Sequence, residues 1–327
     1  MRRLLTLILL GCLAAAGVGG WWINQPLPLA ARVVDLSIEP GTTARGVAQG
    51  AVDAGVQTAA PLLYWWFRLS GQSRRIKAGS YEFEAPVTPR SLLAKLVRGD
   101  EALRAVTLVE GLSFKQFRKI LSKEELLAQD TQGLEPDFIM KKLGRPGLAA
   151  EGRFYPDTYT YTKGSSDLAL LARALRAMDH HLDEAWQRRS ADSPLKTKAD
   201  LLTLASIVEK ETGRNNDRPM IAAVFTNRLR IGMLLQTDPT VIYGLGDKFD
   251  GNLRRRDLQT DTPWNTYTRA GLPPTPIAMP GKASLLAAAQ PAQSRALYFV
   301  ARGDGSSQFS DNLDAHNRAV NQYQRGQ

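Results

Sequence analysis

The sequence has almost no cysteine. Its single one, Cys12, lies in the N-terminal apolar stretch, so no intramolecular disulfide can form in the body of the chain. Histidine is nearly as scarce. His180, His181 and His316 do not have the spacing of a metal-ligand set, and neither a metal nor another cofactor is expected. A glycine-rich phosphate loop, a G-x-S-x-G elbow and an H-E-x-x-H pair are all missing. Their absence sets aside nucleotide hydrolysis, serine-esterase chemistry and zinc proteolysis. There is no long run of like charge either. The densest cluster, Arg254-Arg255-Arg256, is followed at once by Asp257. Without a zinc-finger spacing, an aromatic RNA-binding motif or a basic arm, nucleic acid is not an expected partner.

What is present points to an ordinary folded protein of two domains. The chain has 327 residues, 43% of them hydrophobic and 23% charged, enough for two sizeable cores. The net charge of +10 suits an anionic partner such as a membrane surface or an acidic polymer, or a well-solvated surface.

The first segment, MRRLLTLILLGCLAAAGVGGWWINQ, has Arg2 and Arg3 and then 20 uncharged residues from Leu4 to Ile23. About 20 apolar residues span a bilayer as a helix. With no further positive charge until Arg32, a single span with a cytoplasmic N-terminus is expected, and Trp21 and Trp22 would lie at the outer interface. A cleaved signal peptide and a lipoprotein, with LLGC as the lipidation box at Cys12, are the rival readings.

Short strand–turn–helix pieces follow. Val33, Val34, Leu36 and Ile38 read as a strand, Pro40-Gly41 as a turn, and Thr42 or Thr43 as a helix cap. KAGSYEFEAPVTPRSLLAKLVRG repeats the pattern, and so does AVTLVEGLSFKQFRKIL, with Ser113 as cap. Together they suggest compact α+β modules before residue 150. The alternating Tyr155, Tyr159 and Tyr161 form either one face of a strand or a platform for stacking sugars. Amphipathic helices are predicted over Leu168–Gln187, Thr197–Thr212 and from near Asp217 to Ile231, with Gly232 as a stop. GLPPTPIAMPG can be neither helix nor central strand. A hairpin around Gly303-Asp304-Gly305 and a final helix capped near Asp311 close the chain.

The helix LLTLASIVEKETG carries two glutamates, Glu209 and Glu211. Leu201, Leu204, Ala205, Ile207 and Val208 cover most of one side, so the helix is expected to be largely buried, with Thr203, Ser206 and Lys210 as a polar strip. The two glutamates diverge by about 160° and cannot face one substrate together. A carboxyl beside apolar surface is pushed toward its neutral form. The negative end of the helix dipole adds to that, more for Glu211 than for Glu209. The residues leave two readings open: a proton-donating catalytic glutamate, or a solvated helix end with Glu209 or Glu211 paired to Arg214.

Several stretches carry a resemblance. LASIVEKETGRNNDRPMIAAVFTNRLRIGMLLQTDPTVIYGLG, NTYTRAGLPPTPIAMPGKASLLAAAQP, YFVARGDGSSQFSDNLDAHN and EGRFYPDTY closely resemble the endolytic murein transglycosylase family (MltG, or YceG-like). The stretch from about Ser122 to Gly147 departs from its pattern. The resemblance implies residues 1–3 as a cytoplasmic tip, 4–24 as a transmembrane anchor, 30–105 as a LysM-like subdomain and 106–327 as a mixed α+β catalytic domain with a C-terminal hairpin and helix. It also implies an inner-membrane protein with a periplasmic body, working on peptidoglycan strands near peptidoglycan synthases. Glu211 matches the family's catalytic glutamate. Gln236, Thr237, Asp238, Tyr243, Asn265, Tyr267 and Glu151 match positions that line its cleft. The activity implied is cleavage of the MurNAc-β-1,4-GlcNAc bond inside nascent strands, leaving 1,6-anhydro ends. Two other readings remain: a non-catalytic glycan-binding scaffold, and a hydrolase using Asp238 or Glu151 as a second carboxylate.

Overall fold

The computed structural model describes residues 2–326 and divides the chain into two compact units, one of residues 2–104 with Thr160–Gly164, the other of residues 105–159 and 165–326. The fold is mixed α+β.

The first unit contains α1 (Arg2–Trp22), β1 (Val33–Ile38), α2 (Ala44–Asp53), α3 (Ala60–Leu69), β2 (Gly79–Glu84) and α4 (Pro89–Arg98). β1 and β2 pair antiparallel, in register from Val33 opposite Glu84 to Ile38 opposite Gly79. Alternation puts Val34, Leu36 and Ile38 inward. They meet Val47 and Ala51 of α2, Leu63 and Phe67 of α3, and Leu92 and Leu96 of α4. Thr43 is the residue that caps α2, accepting the Gly46 N–H. Thr88 and Ser91 cap α4 reciprocally, and Gly99, with φ of 77°, ends it in the left-handed region.

In the second unit come α5 (Phe114–Leu121), α6 (Pro136–Lys142), α7 (Asp167–Gln187), α8 (Lys198–Glu211), α9 (Arg218–Arg230), α10 (Asp238–Leu245), α11 (Arg255–Gln259), α12 (Lys282–Ala289) and α13 (Leu313–Gln324). Before α5 lies β3 (Arg104–Thr107), whose first residue belongs to the first unit; before α7 lies β4 (Thr158–Tyr161), whose last two residues do; and before α13 lies the hairpin of β5 (Tyr298–Ala301) and β6 (Ser307–Ser310). β3 pairs with β4, and β5 with β6. α8 runs through the core. Every residue from Leu201 to Glu209 is buried, including Thr203 and Ser206 of the strip predicted to be polar, while Lys210 is exposed. Ser206 resolves this by donating to the Thr203 carbonyl at 2.7 Å and accepting the Ile277 N–H at 3.0 Å. The proline-rich segment ending at Gly281 is irregular, as predicted, yet Ile277 to Gly281 are buried. Its backbone is satisfied by partners outside any sheet: Met279 donates to Leu112 and accepts from Gly111, both at 2.8 Å.

Local signals translated with small shifts. Thr197 and Asp200 form a capping box for α8. Asn312, one residue beyond the predicted Asp311, caps α13. Tyr159 and Tyr161 are core residues, only 6% and 5% exposed, so of the two readings the strand face holds for them.

The first helix brings a correction. α1 has 21 residues, but among the described residues no helix is long and apolar enough to cross a membrane. The side chains of Leu4, Leu5, Leu7, Ile8, Cys12 and Ala15 lie outside the described residues, and with Cys12 so does the lipoprotein reading. The transmembrane helix, the single-pass topology and the inner-membrane location drawn from it therefore do not stand.

Candidate active site

Glu211 is the last residue of α8. Its Oε1 accepts a hydrogen bond from the Thr237 hydroxyl. Burial pushes its pKa up to about 6; the Thr237 hydrogen bond opposes the rise, the Asp238 charge adds to it and the Arg228 charge opposes it. A carboxyl poised near 6 can give up a proton and take one back close to neutral pH.

The chain around Thr237 is shaped to present that hydroxyl. Gln236 sits in the left-handed region, φ of 47°, the one described non-glycine residue with positive φ. That conformation costs roughly 1–2 kcal/mol for a residue with a Cβ. The bonds that hold it come from Thr266: the Gln236 N–H donates to the Thr266 carbonyl at 3.1 Å, and the Thr237 N–H to the Thr266 hydroxyl at 3.1 Å. Asp238 opens α10, and its Oδ1 accepts the Tyr267 hydroxyl at 2.5 Å. A carboxylate there also meets the positive end of the α10 dipole.

Asn265 stands apart from the other candidate residues. It is fully buried, its amide donates to the carbonyls of Leu258 at 3.0 Å and Thr260 at 2.7 Å, and its Oδ1 accepts the Tyr267 N–H at 2.9 Å. Its work is to hold the Tyr267 loop. Tyr243 and Glu151 form a second group. The Tyr243 hydroxyl donates to Glu151 Oε2 at 3.2 Å, and the Phe114 N–H to Oε1 at 3.0 Å. Burial drives the Glu151 pKa up to about 7, against the pull of the Phe114 N–H and the Tyr243 hydroxyl. Gly152, φ of 77°, permits the turn that places it, and Pro276 occupies the space a Cβ would need.

Both residues line an open cavity of about 800 Å³ with Phe114, Arg118 and Trp264 among its walls. Glu211, Asp238 and Tyr267 are not among the residues that line it. The two groups connect along α10, in which Tyr243 lies about 7.5 Å of helix rise beyond Asp238.

Glu209 has a structural partner set. Its Oε1 accepts from Arg218 Nη2 at 3.1 Å, and its Oε2 from the Gly281 N–H at 2.9 Å. The predicted partner Arg214 instead donates to the Asp304 carbonyl at 3.3 Å. Sequence reasoning missed two arginines. Arg218 neutralises Glu209, and Arg228 donates to the carbonyls of Leu235 at 2.6 Å and Leu297 at 2.7 Å while its charge acts on Glu211. A signal existed: Arg218, Ile221, Phe225 and Arg228 fall at helical spacing on one stripe, so both arginines flank a core face.

Known proteins resemble this chain over most of its length. The model of the YceG-like family matches residues 36–322, and the chain belongs to that family. An endolytic murein transglycosylase of Bacillus subtilis (strain 168) is 28% identical over 312 residues, covering 89% of this chain and 84% of that protein. One of Streptococcus pneumoniae (strain D39) is 27% identical over 353 residues, 96% of this chain and 63% of that protein. A crystal structure of a yceG-like protein from Listeria monocytogenes superposes with a TM-score of 0.56 at 28% identity, over 88% of this chain and 98% of that one.

Proposed function

We propose that the chain is a lytic transglycosylase acting on peptidoglycan, with Glu211 as its single acid and base. The observation that carries the reading is the Glu211 carboxyl itself, raised to about 6 and held by Thr237 at the end of a buried helix. Membership of the YceG-like family and the similarity to endolytic murein transglycosylases support the substrate.

The bond cut is the MurNAc-β-1,4-GlcNAc linkage within a strand. Protonated Glu211 gives its proton to the glycosidic oxygen as the C1–O bond breaks. The C6 hydroxyl of the same muramic residue forms the new bond to C1 and returns its proton to Glu211. The product ends in 1,6-anhydro-MurNAc, and no water is consumed, so a second catalytic carboxylate is not required, unlike in a hydrolase. Tyr243, Tyr267, Gln236 and Asp238 border the path of the glycan. In the first unit, the order strand, helix, helix, strand with the two strands paired antiparallel supports a LysM-like subdomain that holds the strand.

One observation favours a second reading. The Asp238 charge acts on Glu211, as the second carboxylate of a hydrolase would. Mass spectrometry of digested strands separates the two. Transglycosylation yields ends one water lighter than hydrolysis, and reducing ends from the wild type would sink the proposal. Glu211→Gln should release no anhydro product; if it digests strands like the wild type, Glu211 is not the catalyst.

A further inference from the structure

The 800 Å³ cavity is larger than the Glu211 mechanism needs, and its charges are sorted. α5 presents Lys115, Arg118 and Lys119 to it at helical spacing of three and four. Glu135 and Asp137, at the start of α6, line it with the opposite sign. Lys115 is held by Asp247 at 2.6 Å, and Arg118 donates to the Thr131 carbonyl at 3.0 Å. Among the described residues, Lys119, Glu135 and Asp137 enter no ion pair. Between these walls lie Phe114, Pro136, Ala150 and the indole of Trp264.

Uncharged sugar rings are bound by donors and acceptors set side by side, together with an aromatic face. Segregated, unpaired charges around an apolar floor suit a different ligand: a short chain with methylene segments, free carboxylates and a free ammonium group. The size lies within the usual range of ligand pockets.

We propose that this cavity binds the zwitterionic peptide carried by the muramic residues of the strand, and that the enzyme therefore prefers peptide-bearing glycan to bare glycan. Lys119 takes a peptide carboxylate, Glu135 and Asp137 take the ammonium group, and Trp264 covers the methylenes. The proposal rests on the peptidoglycan reading of the Glu211 site. α10 joins the two, so a peptide seated here registers its sugar along the path to Glu211.

The test has two arms. In the first, kcat/KM is measured on uncrosslinked strands and on the same strands stripped by an amidase. The expected result is a preference for peptide-bearing strands of about tenfold, residing in KM, which falls to near parity in Lys119→Glu and persists in Lys248→Glu, an exposed charge reversal outside the cavity. Equal rates on the two substrates, or a preference that survives Lys119→Glu, would overturn the peptide site while anhydro products from bare strands left the transglycosylase reading intact. In the second arm, calorimetry follows a soluble muramyl peptide binding to full-length Glu211→Gln, with circular dichroism confirming that each variant is folded. Saturable binding that Lys119→Glu weakens about tenfold supports the site. Binding that the variant leaves unchanged, or that bare muramic acid reproduces, overturns it. This arm needs no cleavage, so its result stands even if the chemistry at Glu211 proves different.

Discussion

Glu211 and Glu151, the two raised carboxyls of the candidate site, make separate predictions because they differ in what surrounds them. In the proposed mechanism Glu211 must carry a proton to start the reaction. With its pKa at about 6, activity should hold below pH 6 and fall about tenfold for each further pH unit, a limb that a pH profile of kcat/KM will locate. Thr237→Val removes a hydrogen bond that favours the ionised form, so the same limb should move to higher pH. Glu151 is buried more completely, and its folded pKa of about 7 lies above the ordinary 4.5. The folded state therefore holds this proton more tightly than the unfolded state does. The group costs nothing below about pH 4.5, and the cost grows until it is complete above pH 7. It should then reach on the order of 3 kcal/mol. Glu151→Gln removes the charge, so its melting temperature relative to wild type should climb between pH 5 and 8. A flat difference across that range would count against a protonated Glu151.

At the scale of elements, α8 sets the position of Glu211, and the Glu209–Arg218 pair sets the end of α8. Both side chains of that pair are 4% exposed. Arg218 also has the half-exposed Glu110 carboxylate at 3.8 Å, so losing Glu209 leaves its buried charge only partly met, which costs toward the low end of about 3–5 kcal/mol. Glu209→Ala should lose about that much in urea denaturation, whereas Lys210→Ala, at the exposed residue between the glutamates, should change little. The backbone at Gly281 matters equally, since its N–H is the other donor to Glu209 and Glu110 lies where a Cβ would be. Gly281→Ala is expected to push aside the half-exposed Glu110 carboxylate and leave the segment in place.

For the molecule as a whole, two units with separate cores imply two unfolding events. Phe67 belongs to the core of the first unit and Phe225 to the core of the second. Truncating either to alanine costs about 3–5 kcal/mol. Scanning calorimetry should show two transitions, with Phe67→Ala lowering one and Phe225→Ala lowering the other. A single transition shifted equally by both variants would show that the units unfold as one.

Much of this was legible from the chain alone, wherever the signal was local. Thr43, Ser113 and Thr197 cap their helices because a side-chain oxygen needs only the next three residues to find its N–H partner. The β1 alternation and the Glu211 end of α8 came from periodicities of two and 3.6. Long-range pairing was not legible. Nothing within three or four residues of Glu209 says that its charge is met by Arg218 and the Gly281 N–H, or that Asn265 spends its amide on carbonyls rather than on a ligand. The apolar run from Leu4 to Ile23 led to a membrane span that the described helix does not sustain. The sequence by itself determined α2, α4, α5, α7, α8, α9 and α13, most of their caps and the glutamate motif, since each depends on neighbours along the chain, but not α3, α6, α10, α11 or α12. Only the tertiary structure decided that Thr237 reaches Glu211, that Tyr243 reaches Glu151, and that α5 and α6 enclose a charged cavity. Those contacts join residues 26, 92 and tens of positions apart, and only packing brings them within hydrogen-bonding distance.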